Sequence, residues 1–367
     1  MNIIIVAAVL AAVCFFLSRA YRGGWSRHLT AGLRFDGEGV FEGERGEVVE
    51  TLANRKLLPV FWGRLGFKVP HELSFDGSAL DHDYYREDSV SAFSYEEITR
   101  RLKFTAERRG FYRLRDAQLV GGDLLFSYRM IHRFDSGCEI YVYPRVKNPG
   151  RFTLDFKKLV GDTVARHFFL EDPFFFRGIR DYRPFDSLKA VNWKATARTG
   201  GLKVNEYSST QSQRVTLLLD LDGYNRFDGE AIKEDVIRVG AMIAERCLKN
   251  GIAVGLVSNA ADAVTGISAR TECKSGRSHY YHLLRTLARL DTSKLSTPFC
   301  EMLEPLRRRQ RDLEYILVSY HYGEELARKV SSLEASGLSI QWVLLHDKSR
   351  RPDFAARSDL YVCEVEY

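Results

Sequence analysis

The sequence predicts an all-β part followed by an α/β part: an N-terminal transmembrane helix, an antiparallel β-sandwich, then a doubly wound, mostly parallel sheet. Three observations carry that prediction. Residues Ile3 to Leu17 read IIIVAAVLAAVCFFL without a single charge. Turn residues then separate short runs rich in Val, Phe, Tyr and Leu as far as about Phe156. After about Arg214, continuous apolar runs alternate with stretches of helical periodicity.

A spanning helix needs about 20 apolar residues, which the first run reaches when Met1, Ser18 and an interfacial Tyr21 and Trp25 are included. Arg19, Arg22 and Arg27 follow the run and none precedes it, which predicts an uncleaved single-pass anchor in the cell membrane with a cytoplasmic body. A cleaved signal peptide is the alternative, because Ser18-Arg19-Ala20 loosely resembles a cleavage site. The chain has 367 residues, 45% hydrophobic and 28% charged, more than one core usually organises. The expected division is an anchor over 1–20, a sandwich over 33–156, a junction over 157–207 and an α/β domain over 208–367.

In the first half the clearest strand is Leu124 to Phe134. Leu124, Phe126, Tyr128, Met130 and Phe134 share one face, and Ser127, Arg129 and Arg133 the other. Gly121-Gly122 reads as a turn, and Tyr95 to Arg109 as either a short helix or an irregular crossing. In the second half, Val215 to Asp220 is a strand buried on both faces. Ile232, Val236, Val239, Ile243 and Cys247 mark a helix, and Asn250-Gly251 stops it. Strands at Ile252–Val257, Tyr315–Val318, Ile340–Leu345 and Leu360–Val365 follow, with helices around Leu283 and Val330 between them.

Charge and cysteine content narrow the function. A net charge of +6 with one dense basic run, Arg307 to Arg311, predicts a solvated helix face or a membrane-proximal patch and no nucleic-acid partner. Six scattered cysteines with no C-x-x-C predict a reduced compartment and no zinc site. His279 and His282 lie three apart without further ligands, and a nucleophile elbow and a phosphate-cradling glycine loop are absent. The chain therefore reads as a non-enzyme without a cofactor.

The most distinctive stretch joins the two halves: Arg180-Asp-Tyr-Arg-Pro-Phe-Asp186, then Asn192-Trp-Lys-Ala-Thr-Ala-Arg198, then Leu202-Lys-Val-Asn-Glu206. Its mixture of guanidinium groups, carboxylates and aromatics suits geometrically demanding ion pairs. The stretch resembles the signature of the domain-of-unknown-function-58 family, in which an R-x-Y-x-x-x-D element precedes W-K-x-x-A-R and a strand ending in Glu. The resemblance implies a von Willebrand A-like second domain. It also implies a MoxR-type AAA+ ATPase as partner, in protein assembly or envelope-related processes. Arg180, Tyr182, Asp186, Trp193, Lys194, Arg198 and Glu206 are the positions it marks, either as an architectural lock between domains or as a surface read by a partner.

Von Willebrand A domains often hold a divalent cation through Asp-x-Ser-x-Ser, and the equivalent loop here is Asp220-Leu-Asp222-Gly-Tyr224. Both hydroxyls are replaced, so Asp220 and Asp222 are weak candidates for magnesium. Two functions are therefore expected: a membrane-anchored scaffold docking a AAA+ ATPase, or a metal-dependent ligand-binding or adhesion module.

Overall fold

Alternating side chains in the first half produce antiparallel strands whose inward positions bury. The computed structural model describes residues 5–6, 15–16, 18–19, 21, 23–76, 85–115, 117–122, 128–134, 137–146, 152–153, 155, 158–159, 176–183, 188, 191–207, 214–222, 229–308, 313–347 and 360–365. Two compact units divide it, Met1–Arg145 and Val146–Tyr367.

The first unit holds β1 (Leu29–Phe35), β2 (Gly39–Phe41), β3 (Arg45–Asn54), β4 (Val60–Lys68), β5 (Leu73–Phe75), β6 (Tyr85–Ala92), β7 (Glu97–Ala106), β8 (Gly110–Leu114), β9 (Ala117–Gly122), β10 (Arg129–Phe134) and β11 (Cys138–Tyr143). They form sheets of order β1-β3-β7-β5, β10-β9-β4-β6 and β2-β11-β8. Phe35, Val48 and Phe104 meet Phe67, Leu114 and Val142 in a shared core, the arrangement of a β-sandwich. The stretch from Tyr95 to Arg109 holds β7, over Glu97–Ala106, in place of a helix or an irregular crossing. Leu124 and Phe126 of the expected long strand lie outside the described residues; Met130 and Phe134 are half-buried in β10, and Arg129 and Arg133 are exposed.

One buried group works against this unit. Glu50 on β3 is 2% exposed, and burial pushes its carboxyl up to about 7; Arg100 opposes the shift and Asp88 adds to it. Folding therefore binds a proton that the unfolded chain releases near pH 4.5. Stability from this group is full below that pH and is lost as pH rises toward 7. Glu50→Gln should stabilise the first unit at pH 8 by about 2–3 kcal/mol and leave it unchanged at pH 4, read by denaturant unfolding.

The second unit begins with β12 (Phe152–Thr153), β13 (Phe176–Asp181), α1 (Trp193–Thr199) and β14 (Lys203–Tyr207). It continues with β15 (Arg214–Leu219), α2 (Gly229–Lys249), β16 (Ala253–Asp262), β17 (Ser268–Lys274), α3 (Arg277–Arg289) and β18 (Leu290–Leu295). Last come α4 (Phe299–Met302), β19 (Glu314–Ser319), α5 (Glu324–Ala335), β20 (Ser339–Asp347) and β21 (Leu360–Val365). The large sheet has the order β12-β21-β20-β19-β15-β16-β17, with β18 also on β16. Pairs among β15, β16, β19, β20 and β21 are parallel; β12, β17 and β18 add antiparallel.

Both faces of this sheet are covered, which is why its strands read as unbroken apolar runs. Leu217, Leu219, Ile316 and Val318 pack with Val236, Ile243, Leu283 and Leu287 of α2 and α3. Leu218, Leu317 and Trp342 pack with Phe299, Leu326 and Val330 on the other side.

The expected fold class is corrected in two respects. The described residues are mostly β, 49% strand against 27% helix, with several antiparallel sheets in place of a simple split between a sandwich and a von Willebrand A-like domain. Antiparallel hairpins on the sheet edges account for part of the difference, because the sequence reading ended β16 at Val257 and missed β17 and β18. Secondly, no helix among the described residues is long and apolar enough to cross a membrane. Most of the apolar run lies outside those residues, and its expected interfacial partners belong elsewhere. Tyr21 and Trp25 are 2% and 3% exposed and pack with Leu29, Leu52, Val60 and Leu119. The Tyr21 hydroxyl donates to the Pro59 carbonyl at 2.9 Å. An aromatic ring seated in a protein core is not available to a headgroup belt.

Candidate functional site

In a parallel sheet, ligands gather at the carboxyl ends of strands where the winding reverses. The order β19-β15-β16 makes that point the gap between β15 and β19. Asp220 directly follows β15, Ser319 ends β19 and His321 lies two residues beyond it. Asp220 is 1% exposed, its N–H donates to the Val318 carbonyl at 3.0 Å, and one carboxylate oxygen accepts from the Asp222 N–H at 3.0 Å. Burial, with some repulsion from Asp222, pushes its carboxyl up to about 7. The other oxygen lies 3.9 Å from His321 Nδ1.

Asn259, 0% exposed on β16, ties the loop down. Its Oδ1 accepts from the Leu221 N–H at 3.1 Å, and its Nδ2 donates to Asp222 Oδ1 at 2.7 Å. Asp222 Oδ2 accepts from the Phe299 N–H at the start of α4. Ser319 Oγ accepts from the Trp342 indole at 2.7 Å and donates to the His321 carbonyl at 3.2 Å.

Each Asp222 oxygen accepts one N–H, and the side chain beyond Asp220 is an imidazole, where hard cations take oxygen. Tyr224 lies outside the described residues. The sequence reading named Asp220 and Asp222 but missed Asn259 and Ser319. The signal for both was present, since Ser319 closes the apolar run of β19 and Asn259 lies just past the apolar run of β16.

The signature residues gather in a separate hydrogen-bonded module. β13 and β14 pair antiparallel, with Arg180 opposite Val204 and Gly178 opposite Glu206. Asn192 caps α1: its Oδ1 accepts from the Ala195 N–H at 2.9 Å, and its Nδ2 donates to Asn205 Oδ1 at 2.7 Å. Lys203 N–H donates to Thr196 Oγ1 at 3.0 Å, which fastens α1 to β14. Gly200, at φ +72°, ends the helix.

No residue of α1 is buried. Trp193 is 66% exposed, and Lys194 and Arg198 are exposed beside it. The Tyr182 N–H donates to the Leu202 carbonyl at 3.0 Å. Lys203 Nζ reaches Asp181 at 2.6 Å, an ion pair on the surface. Asp186 lies outside the described residues, and Glu206 is placed by its backbone alone. Other motifs settle as structure. His279 Nε2 lies 2.6 Å from the Val254 carbonyl, which holds that ring in the core, and Arg307 and Arg308 close a short 3-10 turn.

Residues 178–347 match the profile of the family described as "Protein of unknown function DUF58". Those residues, just under half of the chain, form a DUF58 region. The DUF58 match begins in β13 and runs through β20, so it takes in both the signature module and the Asp220 loop. A relative, the uncharacterized protein YeaD of Bacillus subtilis (strain 168), is 23% identical over 289 residues. That alignment covers 78% of this chain and 66% of the relative, just under two thirds of its length. Among solved structures, the CARDB domain of a Pyrococcus furiosus protein is 14% identical and covers 30% of this chain and 94% of that one, with a TM-score of 0.20. A non-cellulosomal cohesin from Archaeoglobus fulgidus is 9% identical and covers 31% and 91%, with a TM-score of 0.21. Likenesses this slight assign nothing to this chain.

Proposed function

We propose that this protein is a non-enzymatic interaction protein held at a membrane through its apolar residues 3–18, and that the module carrying Trp193 is the surface it offers a protein partner. The observation that carries this reading is the 66% exposure of Trp193 on a helix that buries nothing. Ile179, Leu188 and Leu202 are exposed in the same module, at 46%, 65% and 42%. Lys194 and Arg198 are exposed on the same helix. Large aromatics with arginine beside them are the groups that dominate binding energy when a partner desolvates them. The family resemblance makes that partner a MoxR-type AAA+ ATPase.

Affinity capture from detergent-solubilised membranes, with ATP present, tests the proposal. The wild-type chain should retain a MoxR-type ATPase, and Trp193→Ala with Arg198→Ala should weaken capture by about 2 kcal/mol, roughly thirtyfold. Thermal stability should stay unchanged, because neither side chain is buried. Undiminished capture by the double variant would remove the module from the interface.

A further inference from the structure

One end of the first unit carries large apolar side chains that the fold leaves in solvent. Leu57 is 73% exposed, Phe93 70% and Tyr95 71%, and Phe61 beside them is 51% exposed. They belong to two turns tied together. Buried Asn54 donates from Nδ2 to the carbonyls of Leu58, at 3.0 Å, and Phe93, at 2.7 Å. Ser94 Oγ donates to the Leu57 carbonyl, and the Tyr95 N–H donates to the Lys56 carbonyl at 3.3 Å.

Backbone geometry adds a second observation. Among the described residues, the non-glycine positions with positive φ are His28, at 56°, and Tyr95, at 57°. Both sit at this end, where the Arg55 N–H donates to the His28 carbonyl at 2.9 Å. A left-handed backbone is unfavourable for a bulky residue, and Tyr95 gains no burial in return. Strain without packing points to a use outside the fold.

The occupant follows from what enters here. The uncharged run Ile3 to Leu17 ends four residues before Tyr21, so Leu17 lies within about 14 Å of it along the chain. Tyr21 is bonded to Pro59, two residues from Leu57, and Lys56 Nζ donates to the Trp25 carbonyl. A medium that takes up the apolar run is therefore within reach of the Leu57–Tyr95 turns. Exposed Arg19, Arg27, His28 and Arg55 surround the same end, with Glu97 the exposed acid.

We infer that these two turns form a lipid-contacting tip, with Leu57, Phe93 and Tyr95 entering the headgroup region of an anionic membrane next to the N-terminal run. An apolar patch with aromatic and basic neighbours is the chemistry of that interface, and a second contact beside an apolar segment fixes orientation as well as attachment. This rests on the membrane reading above and extends it to the folded unit.

Photo-crosslinking of the full chain tests it. Benzoylphenylalanine replaces Phe93 at the tip or exposed Glu107 at the far end of the sandwich, and the protein is reconstituted with phosphatidylcholine–phosphatidylglycerol vesicles. Flotation first establishes whether the chain binds lipid. About 30 Å, the length of β3, separates the two positions, so lipid adducts at position 93 should exceed those at 107 about tenfold or more. Flotation with equal yields, with no adduct at 93, or with crosslinks from 93 to a second copy overturns the tip and leaves the membrane reading standing. A chain that does not float overturns both.

Discussion

Asp220→Asn should make the protein more stable at pH 8 by about 2–4 kcal/mol, the largest gain expected from one substitution. Asp220 is buried at the end of β15, and burial raises its carboxyl from 3.8 to about 7. The folded state therefore holds a proton that the unfolded chain has lost. That contribution is full below pH 3.8 and falls away as pH climbs through 7, where the wild-type protein must keep a buried charge. Asparagine keeps the oxygen that accepts from the Asp222 N–H and removes the charge. Denaturant unfolding of both proteins from pH 4 to pH 9 checks this, and the curves should converge at the acid end. Repeating the pH 8 measurement with magnesium separates a loop tie from a cation ligand. The ion should leave both proteins unmoved, and stabilisation of the wild type alone would establish a metal at Asp220.

Trp25→Ala should destabilise the first unit by about 3–5 kcal/mol, the cost of emptying a fully packed indole site. Trp25 is 3% exposed and presses on Gly121 of β9, where a Cβ would stand 2.6 Å from the indole ring. The glycine is there because the ring needs its space, which is a common reason for glycine inside a strand. Hydrogen exchange in detergent should show β1, β3, β4 and β9 losing protection together. A tryptophan that only touched headgroups would leave those amides as protected as before.

Legibility followed the range of the interactions. Val215 to Leu219 announced a buried strand because a central strand of a covered sheet needs apolar side chains on both faces, and that demand is written in consecutive residues. The cap at Asn192, the helix after it and its stop at Gly200 were not read from the sequence. Trp193-Lys-Ala-Thr-Ala-Arg198 has no apolar face, since α1 lies on β14 through polar contacts. β17 and β18 escaped notice for a related reason: edge strands are half-exposed, and their mixed composition resembles a loop. Gly121-Gly122 read as a turn because sequence cannot show which ring a missing Cβ accommodates.

By itself the sequence determined the apolar runs of the parallel strands, the signature stretch that resembles DUF58 and the residue types of the Asp220 loop. Each is a property of neighbours along the chain. Only the tertiary structure decided that Tyr21 and Trp25 are core residues, that Asn259 and the Phe299 amide occupy Asp222, and that Trp193 faces solvent beside Leu202. Those facts depend on groups brought together from distant positions. Burial, hydrogen-bond satisfaction and charge cost are fixed by what the fold places alongside a residue, whatever type the residue is.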